Sequence, residues 1–262
     1  MNSQDNKGEN LASAERLIDE LAKRQPRLIM LPEYFNFLGP DDRKAENAEP
    51  VDDSPSIQII RNKAMEHRVY IHLGSFLERA DNRVFNTAMV FNPDGDLVAK
   101  YKKIHLFDVE IPGGLTYLES QTMTAGSEVV TFTIDDVVFG MSTCYDLRFP
   151  ELFRRLAERN VQVILLAAAF TLQTGRDHWE LLLRARAVEN LCWVGAAAQW
   201  GPHPNDNVCF GRSMIVNPWG LVVAQAPDGV STLICDINMD LLKRTRATFP
   251  ALLHRRKELF PV

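Results

Sequence analysis

The stretch Gly140-Met-Ser-Thr-Cys144-Tyr-Asp-Leu-Arg148-Phe-Pro150 joins an apolar run to a helical pattern. Residues 137–141 predict a buried β-strand, and residues 150–159 predict an amphipathic helix with proline in its first turn. Cys144 therefore falls in a turn between the end of a strand and the start of a helix. Because the positive end of a helix and nearby amides favour a thiolate, we expect Cys144 to be nucleophilic.

Strand and helix patterns alternate along the rest of the chain. Helical periods occur at 11–24, 56–67, 149–159, 177–189 and 239–246. Strand patterns occur at 28–31, 69–76, 87–91, 97–102, 129–134, 137–142, 161–168, 191–198, 213–217, 221–225 and 231–237. Since hairpins such as the one about Asn92-Pro-Asp-Gly are mixed with strand–helix alternation, we expect two mixed β-sheets packed face to face with helices outside. Residues 104–127 indicate a long loop, and such loops often build a site.

Composition limits the classes of function. The chain has 262 residues, a net charge of −5 and no obvious linker, so we expect one domain over residues 1–262 and no nucleic-acid surface. Its apolar runs are too short to cross a membrane, and its polar N-terminus is unlike a secretory signal. The cysteines at 144, 192, 209 and 235 have neither CxxC pairs nor metal-ligand spacing. We therefore expect reduced thiols, no metal site and a cytoplasmic location.

Four residues could carry chemistry together. Taken alone, Glu33 and Glu119 could be solvated loop residues, and Lys103 an edge-strand lysine. However, Glu33, Lys103 and Cys144 each follow a short apolar strand, where α/β folds gather ligands. A carboxylate can take the thiol proton and return it to a leaving ammonia, while an ammonium stabilises the oxyanion. A thiol, a carboxylate and an ammonium thus suffice for amide hydrolysis.

Histidines offer an alternative base. A Cys–His pair could use His105 or His178. His178 falls at the front of a predicted helix, where capping or packing is the ordinary role, and His105 follows Lys103, where we expect it to support the loop. His203 and Asp206 are too few and too loosely spaced to predict a metal site.

With these residues in view, the chain resembles the nitrilase superfamily of carbon–nitrogen hydrolases. The resemblance is carried, in the family's order, by Leu31-Pro-Glu-Tyr-Phe35, Tyr101-Lys-Lys-Ile-His-Leu-Phe107, Cys144-Tyr-Asp-Leu-Arg-Phe-Pro-Glu151, Ala169-Phe-Thr-Leu-Gln-Thr-Gly175, His178-Trp-Glu-Leu-Leu-Leu-Arg-Ala-Arg-Ala-Val-Glu-Asn190 and Gly211-Arg-Ser-Met-Ile-Val-Asn-Pro-Trp-Gly220. It implies a four-layer αββα sandwich of two mixed sheets, with no metal or organic cofactor, and a homodimer. It also implies a hydrolase of carbon–nitrogen bonds in linear amides.

The resemblance assigns a role to each candidate residue. Cys144 would be the nucleophile, Glu33 the general base and Lys103 the oxyanion stabiliser. A second glutamate would orient the lysine and the attacking water; Glu119 is the favoured candidate and Glu110 its rival. The backbone amide of Tyr145 would complete the oxyanion site.

The same resemblance indicates a substrate. The chain looks like the Nit branch, whose members hydrolyse side-chain amides of small 2-oxo acids, such as deaminated glutathione or ω-amides. It places Arg148 on the substrate carboxylate, with Phe170 and Thr174 lining the pocket; a fixed guanidinium suits a carboxylate. A structural ion pair between Arg148 and Asp146 is equally compatible with the sequence.

One departure from the family concerns the N-terminus. The family opens with a central strand before its first helix, whereas residues 1–5 match the segment that lies between that strand and the helix. We therefore expect the strand at 28–31 to lack a neighbour. Two alternatives stay open: a hydrolase of N-carbamoyl compounds or nitriles from the same superfamily, and a catalytically impaired binding or scaffolding protein.

Overall fold

The computed structural model describes residues 1–110 and 116–259. Within them the helices are α1 Lys7–Ala22, α2 Lys44–Asn47, α3 Pro55–His67, α4 Pro150–Glu158, α5 Leu172–Asn190 and α6 Met239–Thr248. The strands are β1 Leu28–Met30, β2 Tyr70–His72, β3 Phe76–Ala80, β4 Arg83–Phe91, β5 Leu97–Lys102, β6 Asp108–Glu110, β7 Thr116–Leu118, β8 Thr131–Ile134, β9 Val137–Thr143, β10 Val163–Ala168, β11 Trp193–Ala198, β12 Trp200–Pro202, β13 Val208–Phe210, β14 Met214–Val216 and β15 Val222–Gln225.

The strands form two mixed sheets and two small hairpins. In the first sheet β1 runs parallel to β2, and β4 pairs antiparallel with β2, β3 and β5. The second sheet has the order β15-β14-β11-β10-β9-β8, with β9, β10 and β11 parallel. Its central strand β10 is buried along its whole length, which explains why residues 163–168 are continuously apolar. The hairpins are β6–β7 and β12–β13.

Three apolar layers hold the fold together. Val90 and Tyr101 of the first sheet pack with Met141, Leu165 and Trp193 of the second, so the sheets face each other. Helices α1 and α3 cover the outer face of the first sheet, and α4 and α5 cover that of the second. The expected four-layer αββα sandwich is confirmed.

Three local predictions were wrong. Residues 69–76 contain the whole of β2 and the first residue of β3 instead of one strand, because Gly74 adopts φ +78° and turns the chain between them. The region 104–127 is not a plain loop, since β6 and β7 pair within it. Residues 231–237 form no strand, because in the described part of the chain no neighbouring strand pairs with them.

Strand β1 lies at the edge of its sheet, as expected. Among the described residues β2 is its one strand partner. A groove of about 590 Å³ runs beside β1 and is lined on its other side by residues 231–237 and by β11. Both β1 and residues 231–237, which the sequence predicted as a strand, line this groove.

Candidate active site

Cys144 lies at the end of β9, where the chain turns sharply. It opens a 3-10 turn, Cys144–Arg148, that leads into α4. The backbone φ of Cys144 is +46°. Residues other than glycine seldom adopt this conformation, and those that do are often found at functional sites. The residue is 8% exposed. The sequence prediction of a strand, a turn and a helix is therefore confirmed, with the thiol buried at the turn.

The turn is held by Asp146, which is fully buried. Its Oδ2 accepts hydrogen bonds from the Tyr101 hydroxyl at 2.6 Å and from the backbone N–H of Thr143 at 2.8 Å. Its Oδ1 accepts from the backbone N–H of His105 at 3.0 Å and lies 2.8 Å from that residue's Nδ1. His105, which we expected to support its own loop, thus also holds the turn through Asp146. Asp146 is not the partner of Arg148, so that alternative was wrong.

Glu33 reaches the same place from the other sheet. It follows β1 and Pro32 and is 1% exposed. Its Oε1 accepts from Asn86 Nδ2 at 2.8 Å and from Lys103 Nζ at 3.1 Å, and its Oε2 accepts from the backbone N–H of Ala169 at 2.7 Å. The carboxylate is therefore fixed by three donors from three different segments.

A glycine makes this position of Glu33 possible. Any Cβ on Gly74 would lie 1.9 Å from the backbone oxygen of Pro32, so only glycine lets the two segments approach this closely. The backbone N–H of Gly74 donates to Nδ1 of the buried His72 at 3.0 Å, which fixes the turn.

Lys103 pairs with a second carboxylate, that of Glu119. Its Nζ lies 2.8 Å from Glu119 Oε2 and 3.1 Å from Oε1. Glu119 also accepts from the Tyr34 hydroxyl and from the backbone N–H of Phe107, both at 2.7 Å. Glu110, the rival candidate, is exposed at the end of β6. The structure thus brings Glu119, and not Glu110, to the lysine.

The electrostatics of the cluster follow from burial and charge. Burial would lower the pKa of Lys103, but Glu119 and Glu33 outweigh it and raise that pKa well above its usual value. Burial opposes ionisation of Glu119 as well, yet Lys103 and Lys44 hold its pKa well below the usual range. Lys103 therefore stays cationic and Glu119 anionic at neutral pH.

The thiol behaves differently from the sequence expectation. Burial raises the pKa of Cys144 well above its usual value, and the charge of Glu33 raises it further, while Lys103 only partly opposes the rise. The expected bias toward a resting thiolate was therefore wrong, because loss of solvent outweighs the favourable charge. A protonated thiol at neutral pH needs a base to become a nucleophile.

A small cavity of about 100 Å³ opens onto the cluster. Its lining contains Glu33, Lys103, Glu119 and Cys144, and it also contains Tyr34, Lys44, Thr171 and His203, among others. A carboxylate base, an ammonium and a thiol around one cavity can carry out acyl transfer.

The four residues expected to bind substrate lie next to this cavity rather than in its lining. Arg148 sits over the rings of Tyr145 and Phe170, 5.9 and 5.1 Å from their centroids, and its Nη1 is 3.2 Å from Nδ1 of His178. Thr174 Oγ1 is 2.7 Å from Oγ1 of Thr171.

Sequence reasoning missed several residues of the site. Tyr34, Asn86 and Lys44 were not singled out, and His203 was weighed only as a metal ligand. Asn86 carried one usable signal, because asparagine is unfavourable inside a strand unless its amide has a specific partner. Lys44 carried none, since it follows Asp41-Asp-Arg in what looks like a solvated loop.

Away from the cavity, one group of side chains in the described residues has the spacing of metal ligands. Asp19, Glu66 and His67 lie together on α1 and α3. Lys63 Nζ already pairs with Asp19 at 2.7 Å and with Glu66 at 3.0 Å, so the group is an ion-pair network. Across residues 1–110 and 116–259, no helix has the length and apolar character needed to cross a membrane.

Comparisons with known proteins agree with this architecture. The sequence profile of the carbon–nitrogen hydrolase family matches residues 1–247. Deaminated glutathione amidase of Synechocystis is 40% identical over 260 residues, which cover 97% of this chain and 95% of that protein. Omega-amidase NIT2 of Mus musculus is 37% identical over 256 residues, 98% and 92% of the two chains. The crystal structure of the Caenorhabditis elegans NitFhit protein superimposes with a TM-score of 0.93 at 35% identity, covering 99% of this chain and 64% of that longer one.

Proposed function

This chain belongs to the carbon–nitrogen hydrolase family and is a hydrolase of linear amides, and we propose that it is a thiol amidase whose substrates are side-chain amides of small 2-oxo acids. The observation that carries the proposal is the convergence of Cys144, Glu33, Lys103 and Glu119 on one cavity. Two of its relatives are named deaminated glutathione amidase and omega-amidase, and we infer the 2-oxo-acid amide class from these names and the family resemblance.

In the proposed reaction, Glu33 takes the proton of the Cys144 thiol as Sγ attacks the amide carbon. The carbonyl oxygen becomes an oxyanion, which the Lys103 ammonium and the backbone N–H of Tyr145 stabilise. The carbon–nitrogen bond then breaks, and Glu33 returns the proton to the nitrogen, so that ammonia leaves from a primary amide and an amine from a substituted one. This step produces a thioester on Cys144.

Hydrolysis of the thioester repeats the proton transfers. Glu33 takes a proton from water as its oxygen adds to the thioester carbon, and the carbon–sulfur bond breaks. The departing sulfur regains the proton from Glu33, which releases the acid and restores the enzyme. Glu119 fixes the ammonium of Lys103 and orients the water. The raised pKa of Cys144 supports this scheme, because a protonated thiol requires the base that Glu33 supplies.

The family resemblance puts a substrate carboxylate on Arg148, beside Phe170 and Thr174. In the described residues the Arg148 guanidinium has no carboxylate at ion-pair distance; its neighbours are the rings of Tyr145, Phe170 and His178. A guanidinium without an acidic partner is available to an anionic ligand.

The test is to supply deaminated glutathione and 2-oxoglutaramate and to measure ammonia and 2-oxoglutarate. We expect Cys144→Ala to abolish release with an unchanged circular dichroism spectrum. Cys235→Ala is the matched control, because it removes a thiol outside the cavity. Turnover by Cys144→Ala would refute the assignment. Carbon dioxide release from N-carbamoyl compounds, without turnover of either amide, would place the chain with the carbamoyl hydrolases.

We propose that the enzyme is a single domain over residues 1–262, is cytoplasmic and forms a homodimer through α5. Leu181 and Val188 of this helix are 65% and 45% exposed, and Trp219 is 60% exposed on a turn whose Gly220 packs on Val188. Exposed apolar patches of this kind often mark an interface. Sedimentation should give a dimer that Leu181→Glu with Trp219→Glu dissociates; a monomeric wild type would refute the proposal.

A further inference from the structure

The cavity beside Cys144 contains a second lysine, Lys44, that the reaction scheme does not use. The Lys44 side chain on α2 is 10% exposed, and its Nζ lies 5.3 Å from the centroid of the Tyr34 ring. The carboxylate that pairs with it is Asp41, 2.7 Å away, whose own side chain is 60% exposed. An ammonium has three N–H donors, so one carboxylate leaves part of this buried charge unsatisfied.

The charge of Lys44 acts inside the site. Together with Lys103, Lys44 holds the pKa of Glu119 below its usual range. The charge of Lys44 therefore acts on a residue of the reactive cluster. The buried acidic residues that line the cavity are Glu33 and Glu119, the buried basic ones are Lys103 and Lys44, and the more exposed Asp41 lines it as well. Asp41 is largely solvated, and a solvated partner can exchange for another carboxylate at little cost.

The same wall of the cavity also contains a buried histidine. His203 lines the same cavity and is 7% exposed. Its Nδ1 lies 2.7 Å from the backbone oxygen of Ser3 and therefore carries the proton. Burial lowers the pKa of His203, so the ring is neutral near pH 7 and Nε2 is an acceptor. That atom is buried and has no hydrogen-bond partner among the described residues.

We infer that Lys44 binds a carboxylate of the substrate, which displaces or joins Asp41, and that the cavity selects amides bearing a carboxylate. The inference rests on the proposed amidase function and names a second cation, besides Arg148, for the recognition of its acidic substrates. Lys44 lies in the cavity lining, whereas Arg148, the cation that the family resemblance suggests, lies outside it.

The test compares two amides of similar shape, succinamate and butyramide, which differ by a carboxylate in place of a methyl group. We expect wild type to have the higher kcat/KM for succinamate. In Lys44→Met the ratio of the two kcat/KM values should fall roughly 10- to 100-fold, the effect of losing a hydrogen bond to a charged group. Asp41→Asn should lower the KM for succinamate, because it removes the competing carboxylate. Lys243→Met, which removes the same charge from an exposed side chain, is the control.

A binding measurement separates this inference from the proposed function. Isothermal titration of 2-oxoglutarate into the Cys144→Ala variant requires no turnover, and adding Lys44→Met should weaken binding at least about tenfold. An unchanged affinity and an unchanged ratio in Lys44→Met would overturn the inference, as would the same losses in Arg148→Met instead. If wild type hydrolyses no amide but binds 2-oxoglutarate through Lys44, the proposed function fails and the carboxylate site stands.

Discussion

The ammonium of Lys103 lies 2.8 Å from Oε2 of Glu119, and the two residues are 6% exposed or less. The chain brings them together because Lys103 directly follows β5 while Glu119 follows the short hairpin β6–β7. Glu119 is in turn held by the Tyr34 hydroxyl and the Phe107 N–H. The glutamate therefore fixes the lysine, and its surroundings fix the glutamate.

Glu119→Gln should reduce amide hydrolysis strongly. The glutamine amide removes the negative charge that faces Lys103. Its NH₂ group is a hydrogen-bond donor and would face the donors that now bind Glu119, which are Lys103 Nζ, the Tyr34 hydroxyl and the Phe107 N–H. We expect kcat to fall on the order of 100-fold, as when one electrostatic contact to the reacting centre is lost. Glu110→Gln is the matched control and should keep wild-type kcat, because its side chain is exposed on β6. Loss of activity in Glu110→Gln with retention in Glu119→Gln would reverse the assignment.

Lys103→Met should cost stability as well as activity. It leaves Glu33 and Glu119 buried without their shared cation, and breaking a buried ion pair from one side costs about 3–5 kcal/mol. Urea unfolding monitored by tryptophan fluorescence measures the loss. Lys102→Met is the comparison: its ammonium is part-exposed and 3.7 Å from Glu78, so we expect a change of about 1 kcal/mol or less. Equal losses of unfolding free energy in the two variants would contradict the role of Lys103 as the shared cation of two buried carboxylates.

Asp146→Asn should slow the reaction without changing the fold. The four hydrogen bonds to Asp146 come from donors on Tyr101, Thr143 and His105, and one amide oxygen cannot accept them all. We expect kcat to drop roughly 10- to 100-fold with a smaller change in KM, since the turn presents Cys144. Asp136→Asn, at an exposed position, controls for the loss of charge. A change confined to KM would indicate that the turn acts on substrate binding instead.

Much of the fold could be predicted because its elements are locally encoded. The helices covering residues 55–67 and 150–158 begin with proline in the first turn and end close to their predicted limits. The second sheet could be predicted because its central strands, β10 and β11, consist of apolar residues. The turn at Gly74 could not be predicted, because a single glycine in an apolar segment is compatible with a continuous strand.

The site was only partly predictable from the sequence. Glu33, Lys103 and Cys144 share a position after a strand, and this regularity can be recognised without a structure. The protonation of Cys144 could not be predicted, since it depends on how completely the surrounding segments exclude water. The position of Lys44 and His203 at the cavity could not be predicted, because their burial arises from contacts between segments distant in sequence.

Stability should fall as the pH drops below neutrality, and His72 should be one cause. The ring is fully buried and its Nδ1 accepts the Gly74 N–H, so the folded protein holds it neutral. Burial lowers the pKa of His72 from 6.5 to about 4. Between these two values the unfolded chain binds a proton that the folded protein does not. The stabilisation is therefore complete above pH 6.5 and is lost toward pH 4, by about 3 kcal/mol in all.

His72→Asn separates this effect from other titrations. The asparagine oxygen can accept the Gly74 N–H but does not titrate, so the free energy of unfolding should depend less steeply on pH between 6.5 and 4. Wild type and variant share the lowered pKa values of the Met1 amine and of His203, so the difference between their slopes isolates His72. Urea unfolding at half-unit pH intervals supplies both curves. Parallel curves would show that His72 takes up its proton as readily in the folded protein as in the unfolded chain, and the buried neutral ring would be refuted.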